Sequence, residues 1–333
     1  MKKYILLMIS FFFAVYIFAK PKSQPVPEWF QNYRTVFPNK EYLAQRGSGS
    51  TAEESKTDAM AALARYFQTT VNANLTTSYQ SITSGEKIQE TQTVLDERAV
   101  TSQVDFFGVE YSECYFNKPE NKWYCVAYIF REEAWIQFKP QIDGAKSVFY
   151  GFYDKAQKEE ESILRCGLYS SAWEKGKDFL EKLEYGRIIS PSEEEKYEKD
   201  RLTLSEVPSL IRQEINNSSI NIIISGDYAG IVETAVNSSL SELGFTTGEG
   251  GNYTAKITVE ANAVGEDPVA IYPGFEMEIS GNSGKSVYSY KYKSSEKTVS
   301  YTLEGAQKKA YPKFAEQIGK LLTQDMGRVL NIK

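Results

Sequence analysis

The 333-residue chain contains no histidine. That absence removes the commonest general base and the commonest metal ligand together, and with them Ser-His-Asp and Cys-His catalysis and histidine-based zinc sites. Cysteine is almost as scarce. Cys114, Cys125 and Cys166 lie 11 and 41 residues apart, which fits neither a zinc nor an iron–sulfur pattern. No Asp-x-Asp-x-Asp-Gly calcium loop occurs. The sequence therefore assigns no catalytic, cofactor-binding or metal-ligating residue, and no enzyme is expected. A basic block is missing too: 38 Lys and Arg stand against 44 Asp and Glu, a net charge of −6, so neither nucleic acid nor an anionic membrane surface is an expected partner.

The one long apolar run lies in the first nineteen residues, MKKYILLMISFFFAVYIFA, where Lys2 and Lys3 precede a largely apolar stretch from Tyr4 to Phe18. This pattern predicts a secretory signal peptide cleaved after Ala19. The stretch falls short of the roughly 20 residues that a membrane helix needs, so no stable transmembrane segment is expected after cleavage. Without Lys2 and Lys3, 36 basic side chains face 44 acidic ones, a net charge of −8. A bacterial lipoprotein would carry a cysteine just after the apolar run, and the first cysteine here is Cys114. The expected location is periplasmic or envelope-associated.

The stretch GNSGKS, residues 281–286, invites comparison with a phosphate-binding loop. Such a loop needs a glycine five residues before Gly-Lys-Ser, because backbone N–H groups must wrap the phosphates. That position is Ile279. Strict alternation on both sides, with Phe275, Met277 and Ile279 before it and Tyr288, Tyr290 and Tyr292 after it, makes the stretch a hairpin turn between two strands.

Periodicity divides the rest into an α+β fold with two α+β domains, antiparallel sheets packed with helices, joined by a helical hairpin. Residues 20–40 read as a proline-spaced, extended lead-in. Residues 41–135 read as a short strand, a Gly-Ser-Gly turn and an alanine-bearing helix capped by Thr51 and Glu54, then strands near 71–82, 89–105, 108–117 and 122–130 and a helix opening at REEAW. Residues 136–216 read as two helices joined at Ser190–Pro191. Residues 217–333 read as β-α-β-β-β-α, with Asp227 capping the first helix, Gly244 ending it and Pro312 kinking the last.

In the KPEN hairpin, centring the turn between Pro119 and Glu120 sets Phe116 opposite Trp123, Cys114 opposite Cys125 and Ser112 opposite Ala127. A cross-strand disulfide between Cys114 and Cys125 is then geometrically open and export permits it, and two small buried thiols is the equal alternative. The runs Glu159–Glu161 and Glu193–Glu195 read as solvated helix faces. The 23 tyrosines and the 14% aromatic content suit either strand packing or a glycan-gripping surface, and packing is the favoured reading.

The tryptophan-bearing PEWF lead-in, the strand EYLAQRGSGS running into the alanine-bearing helix TAEESKTDAMAALARYF, and the strand pair ending in KWYCVAYI together resemble the Lpp-twenty envelope lipoprotein family. The resemblance spans about residues 28–135. It implies an exported, non-catalytic envelope protein, and the same kind of domain occurs in a periplasmic protein that helps assemble rings around the flagellar motor. The lipidated cysteine of that family is lacking here. The expectation is therefore an assembly or interaction factor bound to an envelope protein complex, with a glycan- or peptidoglycan-binding module as the alternative and a carboxylate-based hydrolase third. No cofactor is expected.

Overall fold

The computed structural model describes residues 25–82 and 107–331; the expected signal peptide and the expected strand at 89–105 lie outside them. The fold is α+β, and the described residues divide into two compact units, residues 25–63 with 109–128 and residues 64–82 with 107–108 and 129–331.

In the first unit, strands β1 (Tyr42–Gly49), β2 (Glu110–Tyr111), β3 (Tyr115–Asn117) and β4 (Lys122–Phe130) form one sheet in the order β1-β4-β2, with β3 also on β4. One face receives the start of helix α3 (Ala52–Ile82). Gly47 makes that approach possible, since a Cβ there would lie 2.0 Å from the Ala59 nitrogen. The expected cap is present: Thr51 Oγ1 accepts from the Glu54 N–H at 3.1 Å, and the Glu54 carboxylate reaches back to the Ser50 N–H at 2.8 Å.

The opposite face is closed by the lead-in. It is not extended as the proline spacing predicted; it folds into two single turns, α1 (Glu28–Gln31) and α2 (Tyr33–Val36). These turns bring Trp29 and Phe37 down onto Ala44 and Val126. Apolar burial, which no local propensity encodes, is what orders them.

Helix α3 corrects the strand expected at 71–82. Val71 and Leu75 continue the buried row of Phe67 at four-residue spacing, so tertiary packing overrides the β-propensity of the Thr- and Val-rich stretch. The threonine hydroxyls are satisfied within the helix: Thr76 donates to the Asn72 carbonyl at 2.8 Å and Thr77 to that of Ala73 at 3.0 Å.

In the second unit, α4 (Arg131–Lys158), α5 (Ser162–Ile189) and α7 (Glu198–Asn216) pack side by side, with a short turn α6 (Pro191–Glu194) after Ser190. The expected hairpin is α5 with α7. The reading of one helix through 159–161 is corrected, because the Glu159 carboxylate folds back to accept from the N–H groups of Glu160 and Glu161, both at 3.0 Å, and ends α4. Helix α5 lies between α4 and α7 and is buried on nearly every side. Phe67, Phe107, Phe138 and Tyr185 form an aromatic cluster, with the Phe107 and Phe138 rings edge to face at 5.2 Å.

The C-terminal part is a five-stranded mixed sheet in the order β11-β10-β7-β5-β6, built from β5 (Ser219–Ser225), β6 (Thr246–Thr247), β7 (Tyr253–Glu260), β10 (Gly274–Gly281) and β11 (Ser286–Lys293). Helices α8 (Ile231–Glu242) and α9 (Leu303–Leu330) supply much of its core. A small sheet of β8 (Ala263–Val264), β9 (Val269–Ile271) and β12 (Thr298–Ser300) accompanies it. Pairing of Phe275 with Tyr292, Met277 with Tyr290 and Ile279 with Tyr288 reproduces the alternation read from the sequence. Helix α8 starts later than expected, with Gly230 and not Asp227 at the N-cap position; the Asp227 carboxylate, three residues before, accepts from the Val232 and Glu233 N–H groups, and Gly244 adopts φ 90° beyond the helix. Helix α9 continues through Pro312 as one element and does not restart there.

Candidate functional site

The GNSGKS turn lies between β10 and β11, as the alternation required. It faces a specific neighbour. Ser283 Oγ donates to Glu161 Oε1 at 2.8 Å, and Lys285 Nζ donates to Glu159 Oε1 at 3.2 Å. A Cβ on Gly281 would come within 2.5 Å of Glu161 Oε2, so the missing side chain leaves room for that carboxylate. The Tyr253 hydroxyl, which also bonds Glu161, accepts from the Ile163 N–H at 3.3 Å. The lysine and serine that resembled phosphate ligands thus tie the α4–α5 connection to the sheet.

The second acidic run is corrected as well. Glu194 is 3% exposed rather than solvated. Arg201 bridges it to the fully buried Glu184, with Nε 2.6 Å from Glu194 Oε1 and Nη1 2.6 Å from Glu184 Oε1. Arg187 adds contacts of 3.3 Å to Glu194 and 3.6 Å to Glu184, and the Ser78 hydroxyl reaches Glu184 at 3.4 Å. Two acids and two arginines balance inside the helices, which is the condition under which buried charge is tolerated. Asp200 likewise accepts from Lys146 at 2.7 Å and Tyr150 at 2.8 Å; burial and then this carboxylate push the Tyr150 hydroxyl up to about 12. Arg165 lies 2.8 Å from Glu214. These carboxylates pair with cations within the fold, and sequence reading missed them. No local spacing signals them, because Arg187, Glu194 and Arg201 lie on three separate helices.

In the first unit the KPEN hairpin has Phe116 opposite Trp123, as expected. Three residues, 112–114, then face two, 125–126, before Tyr111 pairs with Ala127. This one-residue bulge corrects the expected pairing of Ser112 with Ala127; Ser112 instead donates its N–H to the Val126 carbonyl at 2.9 Å. Cys114 and Cys125 remain neighbours and stand as free thiols. Cys125 is pushed up to about 11, first by burial and then by the adjacent Cys114. Cys114 also lies 3.7 Å from the Ala52 carbonyl at the start of α3.

The five-stranded sheet has an open face of exposed side chains. Its side chains alternate in sign across strands: Lys256 lies opposite Glu278, and Thr258, Glu276 and Lys291 form the next row. Lys291 and Glu276 close to 2.6 Å. In the following row Glu260 and Lys293 flank Gly274, and a cavity of about 380 Å³ opens there, lined by Glu260, Asn262, Glu276, Lys291 and Lys293 among others. The absent side chain of Gly274 makes room for Asn262, whose Nδ2 would lie 2.9 Å from a Cβ there. Among the described residues no cluster of three or more metal-ligating groups occurs, and no helix is long and apolar enough to cross a membrane.

No family model and no curated protein matches the chain. Among solved structures it is similar to a secreted protein from Helicobacter pylori, with a TM-score of 0.34 and 14% identity, over 84% of this chain and 98% of that one. It is also similar to a candidate lipoprotein from Caulobacter crescentus, with a TM-score of 0.28 and 16% identity, over 37% of this chain and 99% of that one. A minor lipoprotein from Acinetobacter baumannii gives a TM-score of 0.24 and 12% identity, over 33% of this chain and 94% of that one.

Proposed function

We propose that this chain is an exported, envelope-associated protein that acts by binding other proteins, not by catalysis. The observation that carries the reading is where the chemically capable side chains are spent. Glu184, Glu194, Asp200 and Glu214 are buried against arginine, lysine and tyrosine, while the charged face of the C-terminal sheet is left to solvent. Export is supported by the basic, apolar pattern of the first nineteen residues. The glycan-binding alternative has less behind it, since Trp29, Trp135 and Trp173 are buried in cores and Trp123 packs on Phe116. Membership of the Lpp-twenty family belongs to the same proposal.

In-cell crosslinking of a C-terminally tagged chain, followed by affinity purification and fractionation, tests it. Recovery in the envelope fraction with crosslinked envelope proteins is expected. Recovery of uncrosslinked protein in the cytosol would defeat it.

A further inference from the structure

Strand β11 is an edge. Among the described residues its sole strand partner is β10, and it presents eight residues, Ser286–Lys293, along its free side. Within the C-terminal part the other edges are much shorter: β6 and β8 have two residues each and β12 has three, while in the first unit β1 is an edge of eight residues as well. An edge of that length is a template for another strand unless something blocks it.

The side chains on β11 say which strand would fit. On the open face the edge carries Ser289, Lys291 and Lys293, all exposed, after a row in which β10 carries Glu278, Glu276 and Gly274. Lys291 has Glu276 on its inner side and, among the described residues, no strand beyond it; Lys293 is paired with Gly274 and lines the 380 Å³ cavity with Glu260 and Asn262. The two rows nearest the end of β11 therefore finish on positive charge at the edge, at Lys291 and Lys293. On the other face Tyr290 and Tyr292 are half-buried, Tyr292 stacked on Phe314 at 6.1 Å, and these rings offer apolar surface to a neighbouring strand.

We propose that β11 accepts an extended acidic protein segment as a sixth strand of this sheet. Its acidic side chains, two residues apart, pair across the strand with Lys291 and Lys293, and its alternate apolar side chains lie along Tyr290 and Tyr292. Main-chain hydrogen bonds supply the affinity and the two lysines supply the selection. A second copy of the chain is the poorer occupant, because overlapping the lysine-bearing ends of two β11 strands sets like charges opposite each other. The proposal deepens the binding reading above by naming a partner chemistry, and it concerns the purified protein, so it stands or falls apart from cellular location.

The test is fluorescence anisotropy with a labelled short peptide of alternating valine and glutamate, its lysine counterpart, and the glutamate peptide N-methylated at alternate residues. The glutamate peptide is expected to bind, to lose about tenfold in affinity in the doubly reversed variant K291E/K293E, and to be replaced there by the lysine peptide. The N-methylated peptide is expected not to bind, since it keeps the charge and loses the ladder. Thermal unfolding of the variant near that of the original chain confirms that it folds, and the lysine peptide's gain reports on the edge in any case. No binding of the glutamate peptide, equal binding of the N-methylated form, or unchanged affinity in K291E/K293E would overturn the proposal. Concentration-dependent dimerisation abolished by the same variant would assign the edge to a second copy instead.

Discussion

The ammonium of Lys285 lies 3.2 Å from the carboxylate of Glu159, so the lysine of the Gly-Lys-Ser triplet closes a contact between a hairpin turn and the end of a helix. The Glu161 N–H foremost, and then Lys285, hold the Glu159 carboxyl below its ordinary 4.5. A carboxyl depressed in the folded state stabilises it above the unfolded value and ceases to do so as pH falls through the folded one. Lys285→Ala is therefore expected to cost less than about 1 kcal/mol at neutral pH, since the lysine is half exposed, and to cost progressively less in acid, as pH falls below the carboxyl's ordinary 4.5. Urea unfolding at neutral pH and in acid checks this, and an equal loss at both would show that Lys285 does not act through Glu159. Addition of magnesium and ATP is expected to leave the neutral midpoint unmoved, because the turn lacks the loop that wraps phosphate.

The two thiols of the KPEN hairpin make a covalent prediction. Folded under oxidising conditions, Cys114 and Cys125 are expected to join, because Cys114 lies in the bulge beside Cys125 of β4, whereas Cys166 is buried in α5 with no thiol neighbour among the described residues. Alkylation in denaturant without reductant, read by intact mass, should then label a single cysteine. Labelling of three would show that the pair stays reduced.

Gly47 sits where α3 touches β1, and a Cβ there would meet the Ala59 nitrogen at 2.0 Å. Backbone cannot yield as a flexible side chain can. Gly47→Ala is expected to cost roughly 2 kcal/mol or more through overpacking, visible as a lower thermal midpoint. A midpoint within error of the original would mean that α3 moves off the strand freely.

How far the sequence discloses this molecule depends on the range of the forces involved. The β10–β11 register was legible because alternating side chains and a glycine turn are local facts, and both survive in the pairing of Ile279 with Tyr288. The bulge at 112–114 was not, because an extra residue shows only once β4 is in place. Residues 71–82 misled because β-branched side chains prefer strands locally, while burial of Val71 and Leu75 decides for helix. Glu194 misled for the same kind of reason: in a run of three acids, only the packing of three separate helices, which brings Arg187 and Arg201 to the middle one, marks it as buried.

That buried cluster carries the largest energetic consequence. Arg201 is 11% exposed and faces a Glu184 side chain with no exposure at all and a Glu194 side chain at 4%. Replacing it with methionine would keep much of the packing volume but leave two carboxylates short of charge inside the helices. Arg201→Met is therefore expected to destabilise the fold by about 3 to 5 kcal/mol in urea unfolding. The triple change Arg201→Met, Glu184→Gln and Glu194→Gln is expected to recover part of that loss, because the uncompensated charge goes with it, although amides left without the arginine remain imperfectly bonded. A single variant as stable as the original would mean that water reaches the cluster, and a triple variant no better than the single one would place the loss in packing instead of charge.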